Sequence, residues 1–124
     1  MKKVLLDTNI LLDIALKREP HFNNSSQVFA LIDNKLIEAA ITATTVTDLY
    51  YLARKEKDAQ QAKGFIPDLI KIVDILDVNK EIIANALVSD MKDFEDAVQA
   101  FSAGYNNVEA IITRNKKDFE NCNL

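Results

Sequence analysis

The chain opens on a short apolar run, residues 2–6, that stops at Asp7, and beyond it Ile10, Leu11, Ile14 and Ala15 recur at helical spacing. This pattern predicts a strand, a turn and a helix, with Asp7 or Thr8 placed to cap that helix by accepting from its first backbone N–H groups. A second helix is predicted from Pro20 to about Asn34, with Phe22, Val28, Phe29, Leu31 and Ile32 supplying its apolar face. Residues 36–42 read as a second strand. The threonine-rich passage after it is expected to cap a third helix over 47–55, where Val46, Leu49, Tyr50 and Ala53 follow i, i+3, i+4, i+7. Residues 58–71 read as a fourth helix with a break or kink at Gly64 and Pro67. The β-branched run 73–76 predicts a third strand, after which Asn79 caps a helix to about Val88. From Asp93, the phase of Phe94, Ala97, Val98 and Phe101 gives another helix, ended near Gly104. Residues 109–113 form the fourth strand, and a last helical turn begins at Asn115.

Strands alternating with helices predict an α/β fold: three layers, α/β/α, around a central, mainly parallel sheet of four to five strands joined by right-handed crossovers. In such sheets the working cleft lies beyond the carboxyl ends of the strands. Asp7 and Asn115 directly follow two predicted strands, and Asp48 and Asp96 fall in early turns of helices, so all four can share that cleft. Crowded carboxylates there require protons or a divalent cation.

Composition narrows the picture. At 124 residues the chain fits one domain, 1–124, able to bury roughly two-thirds of its unfolded surface, and two Gly with two Pro leave no room for long disordered linkers. A net charge of −4 argues against a polycationic nucleic-acid binder but not against an enzyme whose bound metal supplies the attraction. The single cysteine, Cys122, excludes an internal disulfide and fits a reducing compartment. Asp7, Asn9 and Asp13 interrupt the first apolar run, so no signal peptide is expected, and no run approaches the roughly 20 residues of a membrane helix. A cytoplasmic protein with no membrane partner is expected.

Four strings taken in order, LLDTNILLD at 5–13, TTVTDLYYLARK at 44–55, DFEDAVQAFSA at 93–103 and ITRNKKDF at 112–119, resemble the PIN-domain family, and in particular its small VapC-like toxin ribonucleases of type II toxin–antitoxin systems. The resemblance implies a catalytic set of Asp7, Asp48, Asp96 and Asn115. Asp48 stands where the family usually has Glu, one methylene longer, and Asn115 contributes an amide where the family has Asp or Asn. Asp7, Asp96 and Asp48 are the implied metal ligands, with Asp93 and Asp118 as further candidates. An all-oxygen set without a His or Cys framework suits Mg²⁺ or Mn²⁺. The implied reaction is metal-dependent hydrolysis of RNA phosphodiester bonds, with Thr8 and Arg114 as substrate contacts. A small antitoxin and a homodimer are the implied protein partners.

Each residue also has a plainer reading. Asp7 and Thr8 can be helix caps, Asp48 a charge favoured by a helix dipole, and Asp90, Asp93 and Glu95 a solvated acidic stretch from which Asp93 is the one expected exception. Tyr50 and Tyr51 can stack on bases or pack in the core, and His21 reads as a surface residue. Among rival folds, a phospho-acceptor receiver domain needs adjacent acids after the first strand, where Thr8 and Asn9 follow Asp7. A dehalogenase-type phosphatase needs a second Asp at position 9. The alternative that survives is a degenerate PIN-like domain acting as a non-catalytic RNA- or protein-binding module.

Overall fold

The computed structural model describes residues 2–56, 59–114 and 116–119. Its elements run β1 (Lys2–Leu6), α1 (Thr8–Ala15), α2 (Phe22–Asp33), β2 (Ile37–Thr42), α3 (Ala43–Glu56), α4 (Ala59–Ile72), β3 (Asp74–Leu76), α5 (Lys80–Val88), α6 (Phe94–Tyr105), β4 (Ala110–Ile112) and a 3₁₀ turn (Lys116–Phe119). The four strands are all parallel, in the order β3-β2-β1-β4. Each crossover carries two helices, long enough to return the chain to the same end of the sheet.

Strand alternation sorts the core into layers. Val4 and Leu6 of β1 join Ala39 and Ile41 of β2 beneath α1 to α4, in a cluster that includes Leu11, Leu12, Leu49, Ala53 and Leu69. Leu5 and Ala40 point the other way, toward Ala103 of α6 and Val108. Val4, Leu5 and Leu6 are therefore all buried, as expected of a central strand covered on both faces. Helices α5 and α6 form a third cluster through Ile82, Ala86, Ala97 and Val98. This is the expected three-layer α/β/α sandwich with a four-stranded sheet.

The first two crossovers extend the sheet from β1 to β2 to β3, and the third brings β4 back to the free side of β1. The direction of winding thus reverses between β1 and β4, the place where parallel α/β sheets open a crevice. Asp7 follows β1 there, with its backbone N–H donated to Ile112 O of β4 at 3.0 Å.

Several boundaries differ from the sequence pattern for identifiable reasons. Helix α3 begins at Ala43 rather than near Thr47, because Thr42 acts as its cap: the Thr42 hydroxyl accepts the Thr45 N–H at 3.2 Å. Helix α4 runs unbroken through Pro67, with Phe65, Ile66 and Leu69 anchored on the main core. Pro67 is exposed, so water can satisfy the backbone carbonyl left without its helical donor. Helix α6 ends at Tyr105, next to Gly104 as expected, and the chain turns after it where Asn107 takes φ 58 and Val108 N donates to Ala103 O at 2.8 Å. Asparagine tolerates that left-handed geometry, so the stop did not need the glycine. Helix α2 starts at Phe22, two residues after Pro20.

Candidate functional site

Asp7 occupies the N-cap position of α1, yet its side chain makes no capping hydrogen bond. The carboxylate instead faces across the crevice. Its Oδ1 accepts from Gln99 Nε2 of α6 at 3.2 Å, and its Oδ2 accepts from the Thr113 hydroxyl, just past β4, at 2.8 Å. At 3 % exposure, Asp7 is a buried acid held by neutral donors from two distant elements. An acid that served only to start its helix would be turned toward the α1 N–H groups.

Thr8 continues the site. Its hydroxyl lies 3.1 Å from that of Thr45 and donates to Glu95 Oε1 at 3.3 Å. Thr45 in turn lies 3.0 Å from the Thr42 hydroxyl, which lies 2.9 Å from that of Thr44. A line of hydroxyls therefore joins the end of β2, the first turn of α3, the first turn of α1 and the first turn of α6. Thr8, Thr42 and Thr45 are all buried, and each needs these partners because an unpaired buried hydroxyl is costly.

Glu95 and Asp48 form the outer part. Burial, followed by the hydrogen bond and the negative charge of Asp48 beside it, pushes the Glu95 carboxyl up from 4.5 to about 7, while Thr8 opposes the shift by hydrogen bonding to it. The acid raised in this way favours the protonated form in the folded state. Stability from this group is fully present below pH 4.5 and is lost as pH rises through about 7. Glu95→Gln is expected to flatten that decline, measured by urea unfolding in EDTA across the same window. The gain above neutrality should be on the order of 1 kcal/mol, after discounting for the solvent that reaches a half-buried group.

Asp96 sits half-buried in the first turn of α6, one helical turn before Gln99 and on the same side of the helix. Its backbone N–H is taken by Asp93 Oδ1 at 2.9 Å. Asp93, exposed at the N-cap, is thus occupied in starting α6, while Glu95, assigned by its sequence context to a solvated stretch, turns inward. Asn115 and the side chain of Asp118 lie outside the described residues. Arg114, expected to touch substrate, directs its Nε at Asp13 Oδ2, 3.0 Å away. Asp13 is fully buried and also accepts from Ser25 Oγ at 3.3 Å. Tyr50 packs at the edge of the main core, edge-on to exposed Tyr51 at 5.3 Å between ring centres.

The acids around the crevice, Asp7, Asp48, Glu95 and Asp96, together with the Thr8 hydroxyl offer oxygen ligands, beside the Gln99 amide that donates to Asp7. Those oxygens fit a hard divalent cation, which would offset the negative charge of Asp48 beside Glu95. Among the described residues, however, no three Asp, Glu, His or Cys side chains stand close enough together to form a ready metal-binding group. Gln99 and Thr113 hold Asp7, and Asp48 is paired with Glu95.

A family model described as PIN domain matches residues 3–117. The chain belongs to the PIN-domain family. Solved structures share this PIN fold over nearly its whole length. The VapBC2 structure from Rickettsia felis, bound to a DNA fragment from its promoter, superposes with a TM-score of 0.72 at 20 % identity, covering 97 % of this chain and 92 % of the other. The Mycobacterium tuberculosis toxin VapC20, described as cleaving the sarcin-ricin loop, gives 0.77 at 11 % identity, covering 93 % and 92 %. A toxin–antitoxin complex from Klebsiella pneumoniae gives 0.67 at 26 % identity, covering 94 % and 90 %. No curated protein matches the chain. Among the described residues, no helix of this PIN domain is long and apolar enough to cross a membrane.

Sequence reasoning passed over Glu95, Gln99, Thr45 and Thr113. Gln99 was detectable in principle, as the one amide among the apolar positions 97–101 of α6, on a helix whose other face is needed for packing.

Proposed function

We propose that this PIN domain is a divalent-metal-dependent endoribonuclease, the toxin of a toxin–antitoxin pair, working in the cytoplasm as a homodimer with a small antitoxin as its protein partner. The observation that carries this reading is the orientation of Asp7: a buried carboxylate at the winding reversal, turned away from its own helix toward α6 and β4. PIN nucleases generally need divalent metal, and the similar structures that are toxin–antitoxin complexes support the partner.

In the mechanism, Mg²⁺ or Mn²⁺ would be held by Asp7 and Asp96, with Asp48 and Glu95 as the outer oxygens and Asn115 as an outer-shell partner. A cation held there would supply charge neutralisation and Lewis-acid polarisation of a phosphodiester. The protein's own contribution is positional. Gln99 and Thr113 each hold one oxygen of Asp7, so the orientation of the carboxylate is set by the protein before a cation arrives. Thr8 ties Glu95 to the start of α1, whose first backbone N–H groups also favour an anion.

The test is cleavage of mixed RNA titrated with Mg²⁺ and Mn²⁺, by wild type and by Asp96→Asn. Cleavage that requires metal and falls at least about tenfold in the variant is expected. A second reading, a degenerate PIN domain that binds RNA or protein without cutting, draws on the absence of a preassembled three-acid group among the described residues. Metal-independent and equal behaviour of both proteins would decide for it.

A further inference from the structure

Beside the Asp48–Glu95 pair lies a cleft of about 240 Å³ whose apolar and aromatic part the mechanism above leaves unused. Ile83 and Val98 form its apolar part and Phe94 an aromatic wall, while Thr44, Thr47, Asp48 and Glu95 complete the lining. Phe94 is 48 % exposed although it is the first residue of a helix that packs on the sheet. A large ring left in water next to a chemically active crevice calls for an occupant.

The polar atoms decide what that occupant is. The Thr47 hydroxyl spends its proton on Thr44 O at 2.9 Å, so it offers only lone pairs to the cleft. Asp48 and Glu95 add carboxyl oxygens. A phosphate group is repelled by such a lining, and a purely apolar side chain would leave its acceptors without partners. A flat ring with N–H donors on its edge satisfies both the aromatic wall and the acceptors.

We propose that this cleft receives one nucleobase of the RNA next to the cleaved phosphate, stacked on Phe94, and that it selects bases carrying an exocyclic amine over uracil. Uracil presents two carbonyl oxygens and a single edge N–H to the same acceptors, whereas adenine and cytosine each present an amino group. The inference rests on the ribonuclease reading for its substrate, and names Phe94 as the residue that sets local sequence preference.

The chain contains no tryptophan, so Phe94→Trp introduces a single reporter at the wall. In an Asp7→Asn background with Mg²⁺, quenching of its emission is titrated with oligo-A, oligo-C and oligo-U RNA. Quenching is expected with all three, with Kd for oligo-A and oligo-C at least about tenfold below that for oligo-U, in line with stacking and edge-recognition energies. In a parallel cleavage assay, Phe94→Ala should raise KM by about tenfold and flatten the sequence profile of the cuts. Tyr105→Ala, at the opposite end of α6, should change neither.

Absence of quenching, or a Phe94→Ala protein with unaltered KM and cut sites, overturns the proposal. A changed elution volume of Phe94→Ala with unaltered RNA parameters also overturns it, and assigns the ring to a protein interface. Quenching without cleavage by the wild type upholds the base site while removing the nuclease reading, and cleavage without quenching does the reverse.

Discussion

Asp7→Asn is expected to lower metal-dependent RNA cleavage by more than about a hundredfold while the chain still folds. The amide matches the carboxylate in shape, so β1, α1 and the hydrogen bond from Thr113 can remain, but the charge that would hold a cation is gone. Gln99→Ala provides the calibration. Its amide only orients Asp7, and partners of that kind typically contribute about 10- to 100-fold. The ordering is therefore the informative result: single-turnover cleavage at saturating Mg²⁺ should fall further in Asp7→Asn than in Gln99→Ala. If Gln99→Ala were the more damaged, Asp7 would be a structural acid and the centre would lie elsewhere in the crevice.

The second large effect concerns stability. Arg114→Ala is expected to destabilise the protein by about 3–5 kcal/mol, because it strips the charged partner from a carboxylate that has no exposure to solvent. Ser25 alone then remains on Asp13 Oδ2, and Asp13 Oδ1 already has no partner among the described residues. Asp13→Leu combined with Arg114→Met should recover most of the loss, since replacing both members of a buried pair by apolar groups is often nearly neutral. Urea unfolding of the single and double variants measures this directly. A loss below about 1 kcal/mol for Arg114→Ala would mean that the Arg114–Asp13 pair contributes little to stability.

The layered architecture was legible because it depends on local pattern. Val4, Leu5 and Leu6 form an unbroken apolar run, as a central parallel strand must, and Asp7 ends it. Errors came where a long-range contact overrode a local preference. Pro67 should have broken α4, but Phe65, Ile66 and Leu69 hold that segment on the core. Any of several threonines could start α3, and the choice of Thr42 was fixed by its hydroxyl meeting Thr45, which in turn meets Thr8.

For the site, Asp7 was recognisable from its position after a strand, whereas its partners were not. Gln99 and Thr113 lie 92 and 106 positions away, and no spacing rule links them to it. Glu95 and Asp93 were exchanged for a simpler reason. In an acidic run at a helix start, the phase of the helix decides which acid caps and which turns inward. That phase is set by Ala97 and Val98 packing against α5 rather than by the charges themselves. Arg114 was expected to contact substrate, and its pairing with buried Asp13, 101 positions away, has no signal in local spacing.

The reach of the two hydrogen bonds onto Asp7 has a consequence for the moment of synthesis. A ribosome must release β4 and Thr113 before the first acid of the chain can be gripped on both oxygens. Until then β1 is an edge strand and the crevice has one wall. The surroundings of Asp7 are therefore completed last, by segments made at the far end of the chain, when the final strand docks beside β1.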